Sequence, residues 1–101
     1  MSHFPDSFTF IWDKGNREKN LEKHKVTVSE AEEIFQNDPF IISEDMKHSH
    51  KERRFQGLGK TNMQRLLFAA FTMRNDQIRV ISVRDMNRKE EVVYEKSETN
   101  S

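Results

Sequence analysis

The sequence predicts an α+β domain: two N-terminal helices packed on an antiparallel β-sheet, closed by a short C-terminal helix. Three observations carry that reading. Residues 8–12, FTFIW, alternate with a period of two. Ser29 with Glu32, and Asn87 with Glu90, have the spacing of capping boxes at helix starts. Residues 52–84 contain three strand-like runs joined by short polar turns, the pattern of a meander.

The elements follow in order. In FTFIW, Phe8, Phe10 and Trp12 share one face, as in a strand with one buried side. Asp13 then offers an N-cap for a helix to about residue 24, whose surface carries Lys14, Arg17, Lys19, Lys23 and Lys25 against Glu18 and Glu22. In the next helix Val28, Ala31, Ile34 and Phe35 fall on one face. Pro39 ends it by disfavouring helical geometry at Asp38, and FII at 40–42 reads as a short strand. The meander comprises a strand near 52–59, a turn at 60–62, a strand at 65–73, a turn at 74–77 and a strand at 78–84. Both faces of 65–73 are apolar, which predicts a central strand covered on both sides. The last helix is expected to reach about Glu95, with 96–101 as a disordered tail.

Composition bounds the function. A chain of 101 residues makes one domain with one core, here about residues 8–95, and eight Phe and one Trp supply its bulk although 34% of residues are charged. Without cysteine there is neither a disulfide framework nor a thiolate zinc site. No N-terminal run is apolar enough for a leader or a membrane span, so the expectation is a cytoplasmic protein. Zero net charge removes any argument for nucleic-acid binding from overall basicity. The halves differ, however: residues 1–52 carry 7 basic and 11 acidic side chains, and 53–101 carry 10 and 6. A basic half can bind phosphate within a neutral molecule. None of the three glycines forms a phosphate-binding loop.

Arg79 and Arg84 interrupt an otherwise apolar strand, and Arg54 lies on another strand of the same meander. Neighbouring strands can bring the three near one open face or one end of the sheet, although alternation alone puts Arg79 and Arg84 on opposite faces. Alternatively, each pairs with a nearby carboxylate at a sheet edge. Lys23 and His24 end the first helix, where the helix dipole alone favours them; His24 acquires chemistry if it faces the sheet arginines. His48, His50 and Glu52 have a period-two spacing that admits a metal, but they follow a polar loop, and chemistry without a metal or other cofactor is the default. Glu30, Glu32 and Glu33 read as a solvated helix face.

Together, FIWD at 10–13, Asn20, KH at 23–24, VTVSEA at 26–31, IF and DP at 34–39, RRFQGLG at 53–59, RVISVR at 79–84, Glu90 and Tyr94 resemble in order and spacing the BrnT family of type II toxins. The resemblance implies a RelE-like fold and a ribonuclease that arrests growth. It also implies a BrnA-like antitoxin as partner, two toxins joining an antitoxin dimer that represses the shared operon. Carried over residue by residue, it assigns Lys23, His24, Arg54, Arg79 and Arg84 to the site. Three positions depart from the family pattern: Asn16 for a lysine, Lys25 for a glycine after the histidine, and Arg53 for an acidic residue, leaving Glu52 one position further out.

Metal-free RNA cleavage requires a base for the 2′-OH proton, cations for the charge growing on phosphorus and an acid for the 5′ oxygen. The expected assignment gives the first role to Glu52 or His24, the second to Arg54, Arg79 and Lys23, and the third to His24 or Arg84. In a buried strand the arginines would be held rigidly for phosphate; Arg84 has the alternative task of anchoring Glu90 or Asp85 and fixing the last helix. The rival to an enzyme is an inactive module that engages a partner protein as co-repressor.

Overall fold

A computed structural model describes residues 8–100. Residues 1–7, part of the stretch that shows no leader-like run, and Ser101, the end of the predicted tail, lie outside the described residues. The elements are β1 (Thr9–Trp12), α1 (Lys14–His24), α2 (Val28–Gln36), β2 (Ile41–Glu44), a 3₁₀ turn (Met46–His48), β3 (Arg54–Lys60), β4 (Leu66–Arg74), β5 (Gln77–Asp85) and α3 (Arg88–Asn100).

The five strands form one sheet in the order β1-β5-β4-β3-β2. The meander β2 to β5 is antiparallel, but β1 lies parallel to β5, from Thr9 opposite Gln77 to Trp12 opposite Val80. The sheet is therefore mixed, which corrects the antiparallel expectation. The chain enters at one edge, crosses through α1 and α2 to the other edge, and returns strand by strand. After that return the direction of β5 matches that of β1.

The core lies between α2 and one face of the sheet: Ala31, Ile34 and Phe35 meet Leu67, Ala69, Phe71, Ile78, Val80 and Val83, with Val26 and Phe40 closing the ends. The Phe35 ring stands edge-on to Phe71 at 5.0 Å and lies 4.8 Å from Phe40. Close approach depends on β3 lacking side chains there. A Cβ on Gly57 would lie 2.2 Å from Phe40 Cζ, and one on Gly59 would lie 2.9 Å from the Ile34 carbonyl oxygen. The GLG segment thus lets α2 and Phe40 settle onto the sheet.

Asp13 caps α1, accepting from the Gly15 N–H at 2.8 Å. The cap of α2 is Thr27 with Glu30 rather than Ser29 with Glu32: the Glu30 N–H donates to Thr27 Oγ1 at 3.1 Å, and the Thr27 N–H to Glu30 Oε1 at 3.0 Å. Glu32 instead accepts from Trp12 Nε1 at 2.8 Å, and Glu33 from the Asn62 N–H at 2.9 Å. The acidic face of α2 is therefore a set of tertiary contacts, not a solvated surface.

On the opposite sheet face Arg84 lies over Phe68, and α3 docks beside it. Tyr94, fully buried, donates to the Pro39 carbonyl at 2.7 Å, and Lys60 pairs with Glu98 at 2.7 Å. α2 thus covers one face of β4; on the other face Arg84 lies over Phe68 and α3 packs against β3, so the covering on both sides that its apolarity predicts is not a helix on each face. The Lys60–Glu98 pair ties down the last turns of α3, which continues to Asn100 rather than ending near Glu95. Asn87 and Glu90 form the expected capping box.

Candidate active site

The site begins with an irregularity in β5. Ala70 pairs with Ser82 but the next residue, Phe71, pairs with Val80, so Ile81 is an extra residue in the strand. Such a bulge shifts the alternation by one. Val80 and Val83 both face the core, and Arg79 and Arg84 both face the other way. The opposite-face expectation from simple alternation is corrected here.

Thr72 on β4 pairs with Arg54 on β3 and with Arg79 on β5. The three side chains therefore stand in a row on one face, the two arginine Cα atoms about 10 Å apart across two strand spacings. They line a cleft of about 540 Å³ with His48, His50, Lys51 and Glu52 from the loop before β3 and Asn16 from α1. A second cleft of about 290 Å³ shares Glu52, Thr72 and Arg79 and continues toward Ile11, Asp13 and Gln77. The two form one groove.

Backbone and side-chain bonds hold the loop against β3. The Asp45 N–H donates to the Arg54 carbonyl at 2.7 Å, the Arg54 N–H to Ser49 Oγ at 3.0 Å, and the Ser49 hydroxyl to the Asp45 carbonyl at 2.7 Å. Glu52 pairs with Arg74 at 2.6 Å, which fixes its carboxylate at the junction of the two clefts. Arg79, about half exposed, has Asp13 as a distant counter-ion at 3.9 Å. Arg53 points elsewhere, to Glu44 at 2.8 Å and over the Phe55 ring.

Of the predicted site residues, the fold brings together Glu52, Arg54 and Arg79. Lys23, His24 and Arg84 lie toward the other end of β5. Helix α1 runs alongside that strand, Asn20 Oδ1 accepting from the Val83 N–H at 3.1 Å. Asn16 therefore sits by the groove, while Lys23 and His24 lie ~11–12 Å further along the helix axis. There the carbonyls of His24 and Lys25 accept from Arg65, which also grips Asp85 at 2.8 and 3.1 Å and Glu30 at 3.1 Å. The Arg65 hydrogen bonds, aided by the Arg65 and His24 charges, hold the Asp85 carboxyl below its usual range despite partial burial. Arg84 makes a two-pronged pair with Glu90 at 2.8 and 2.9 Å and stacks over Phe68 at 4.1 Å.

The groove also contains residues that sequence reasoning did not assign to it: Asn16, His48, His50, Lys51 and Thr72. The signal for the histidines was present in HSHKE, read for its ligand spacing. What the spacing does not contain is the return of this loop onto the start of β3. Thr72 carried no signal, because it belongs to the site only through its two strand partners.

Comparison with known proteins bears on this geometry. The chain matches the family described as "Ribonuclease toxin, BrnT, of type II toxin-antitoxin system" over residues 12–90. Its fold is similar to the crystal structure of the Brucella abortus ribonuclease toxin BrnT, with a TM-score of 0.60 and 20% identity, over 81% of this chain and 100% of that one. A search of curated proteins gave no match. The family match begins at Trp12, ends at Glu90 and spans the groove and most of the sheet; the chain belongs to the BrnT family of type II toxins.

Proposed function

We propose that this chain is a metal-independent endoribonuclease toxin that cuts RNA in the groove floored by Arg54 and Arg79. The Arg54–Thr72–Arg79 row supports the reading most strongly. Two guanidinium groups on adjacent sides of one strand can engage different oxygens of a single phosphate, and each presents a planar fork suited to it. Their strand backbones fix them before substrate arrives, so stabilising the charge that grows on phosphorus costs little reorganisation. Thr72 Oγ1 adds a short donor between them. Glu52, held by Arg74, takes the proton of the attacking 2′-OH.

In this reading Arg84 fixes α3 rather than touching the phosphate, and Lys23 and His24 take no part in the proton transfers. A type II system implies a protein antitoxin. We take that partner to be BrnA-like, in a complex of two toxins and two antitoxins that meets operator DNA through the antitoxin alone. The toxin then acts on RNA in the cytoplasm. No helix among the described residues is long and apolar enough to cross a membrane.

The test is incubation of purified, antitoxin-free protein with total RNA in EDTA, beside Arg79→Ala verified as folded by circular dichroism. Wild type should cut and the variant should be slower by about 10²–10³-fold, the usual effect of removing one preorganised donor. Absence of cleavage by folded wild type would instead favour a module that only binds its partner.

A further inference from the structure

The HSHKE loop contains one more arrangement. Asp45, its side chain 11% exposed, holds His48 Nδ1 at 2.9 Å, while the His48 side chain is 57% exposed and lines the groove with Arg54 and Arg79. A carboxylate on Nδ1 fixes the ring's orientation and leaves Nε2 for solvent or substrate. The carboxylate is itself anchored: the Asp45 backbone bonds to Arg54, the residue that carries one of the groove's guanidinium groups. Burial opposes ionisation of Asp45, but hydrogen bonds from His48, Gln56 and the backbone outweigh it and hold the carboxyl below its usual range.

Resting on the ribonuclease reading above, we propose that His48 is the general acid of RNA cleavage and that Asp45 is its positioning residue. The step balances as a transesterification. The 2′ oxygen forms a bond to phosphorus as its proton passes to Glu52; the P–O5′ bond breaks, and its electron pair takes the proton of His48 Nε2. The products are a 2′,3′-cyclic phosphate and a 5′-hydroxyl. The titratable and charged groups that line the groove with His48 are His50, Lys51 and Glu52 on its loop, Arg54 on β3 and Arg79 on β5.

Wild type, Arg79→Ala, His48→Ala and Asp45→Asn are compared on an RNA oligonucleotide and on the same oligonucleotide with sulfur in place of the bridging 5′ oxygen at the cut. Thiolate leaves without an acid. His48→Ala should cut ordinary RNA about 10²-fold more slowly at neutral pH, lose the alkaline limb of the kcat profile, and cut the sulfur-linked RNA at close to the wild-type rate. Asp45→Asn should slow cleavage of ordinary RNA and spare the sulfur-linked RNA, the pattern of a residue that acts through the general acid rather than through the fold. Equal loss of both substrates by His48→Ala, or an unchanged pH profile, overturns the assignment while leaving the ribonuclease reading intact. If wild type cuts neither substrate, both fall; if wild type cuts and Arg79→Ala cuts equally well, the groove is the wrong site and His48 falls with it.

Discussion

Replacing Arg84 with alanine tests whether this arginine belongs to the phosphate site or to the scaffold. The change removes a two-pronged pair with Glu90, at 2.8 and 2.9 Å, and a stacking contact 4.1 Å from the centre of the Phe68 ring. Arg84 is 35% exposed and Glu90 19%, so the pair sits between a surface ion pair and a buried one. Exposed pairs contribute up to ~1 kcal/mol, and breaking a buried one costs ~3–5. An intermediate loss of about 1.5–2 kcal/mol, plus about 0.5–1 for the cation over the ring, gives about 2–3 kcal/mol. For a domain of this size that lowers Tm by about 10–20 °C. Urea unfolding should give an unchanged slope and a lower midpoint, and a cycle with Glu90→Ala should give a coupling of about 1–2 kcal/mol. The effect should also depend on pH. Burial raises the Glu90 carboxyl, but the Arg84 and Asn87 hydrogen bonds outweigh it and the net displacement is downward. Its stabilisation is therefore present above the unfolded-state value and is lost as pH falls through the lower folded value, so the gap between wild type and variant narrows below about pH 4. A variant with native Tm, no coupling to Glu90 and abolished RNA cleavage would refute this reasoning and return Arg84 to the phosphate.

Three further outcomes follow from the same contacts. Lys25 ends α1 in the left-handed region, φ 56° and ψ 38°, where a side chain costs ~1–2 kcal/mol; Lys25→Gly should raise stability in thermal unfolding by about 0.5–1 kcal/mol after the extra chain entropy of glycine is charged against it. Burial, then the charges of Glu98 and Asp38, push the Tyr94 hydroxyl up to about 12. Being the single tyrosine, it should show no tyrosinate absorbance near pH 10 while the protein is folded; its stabilisation is complete below the unfolded-state value and lost as pH rises toward 12, and a normal titration near 10 in folded protein would contradict the buried Tyr94–Pro39 bond. Arg65→Ala should cost about 2–4 kcal/mol near neutral pH in urea unfolding and less as pH falls through the lowered folded-state values of the Glu30 and Asp85 carboxyls.

Local signals were legible in the sequence where local physics decides the outcome. Asp13 caps α1, Asn87 and Glu90 open α3, and the strands of the meander lie within a residue or two of their predicted bounds. The second capping box was misplaced because Thr27–Glu30 and Ser29–Glu32 satisfy the same spacing. The choice between them is tertiary: Glu32 is needed by Trp12, and Glu30 also reaches Arg65. The parallel β1–β5 pair joins residues almost seventy positions apart, and no local pattern encodes its direction. The bulge at Ile81 was equally invisible, since Val, Ile and Ser beside arginine read as a regular strand. That single extra residue decides the site, because without it Arg79 and Arg84 would face opposite ways.

The arginines of the sheet also explain how a neutral chain can offer a phosphate site. Arg74 is matched by Glu52 at 2.6 Å and Arg84 by Glu90 at 2.8 Å. Arg79 has a carboxylate no nearer than 3.9 Å, and among the described residues the Arg54 guanidinium has no hydrogen-bonded or ion-paired partner. These two flank Thr72 in the groove. Net charge counts every arginine alike, but a neutralised guanidinium contributes little field and an unmatched one contributes its full charge to a concave, partly desolvated surface. Among the arginines of the sheet, the two without a close carboxylate among the described residues are thus Arg54 and Arg79, and the strand backbones hold both cations in place. In the proposed reaction a dianionic phosphorane would be met by charge already in position, whereas Arg84, to serve the same role, would first have to break its bonds to Glu90.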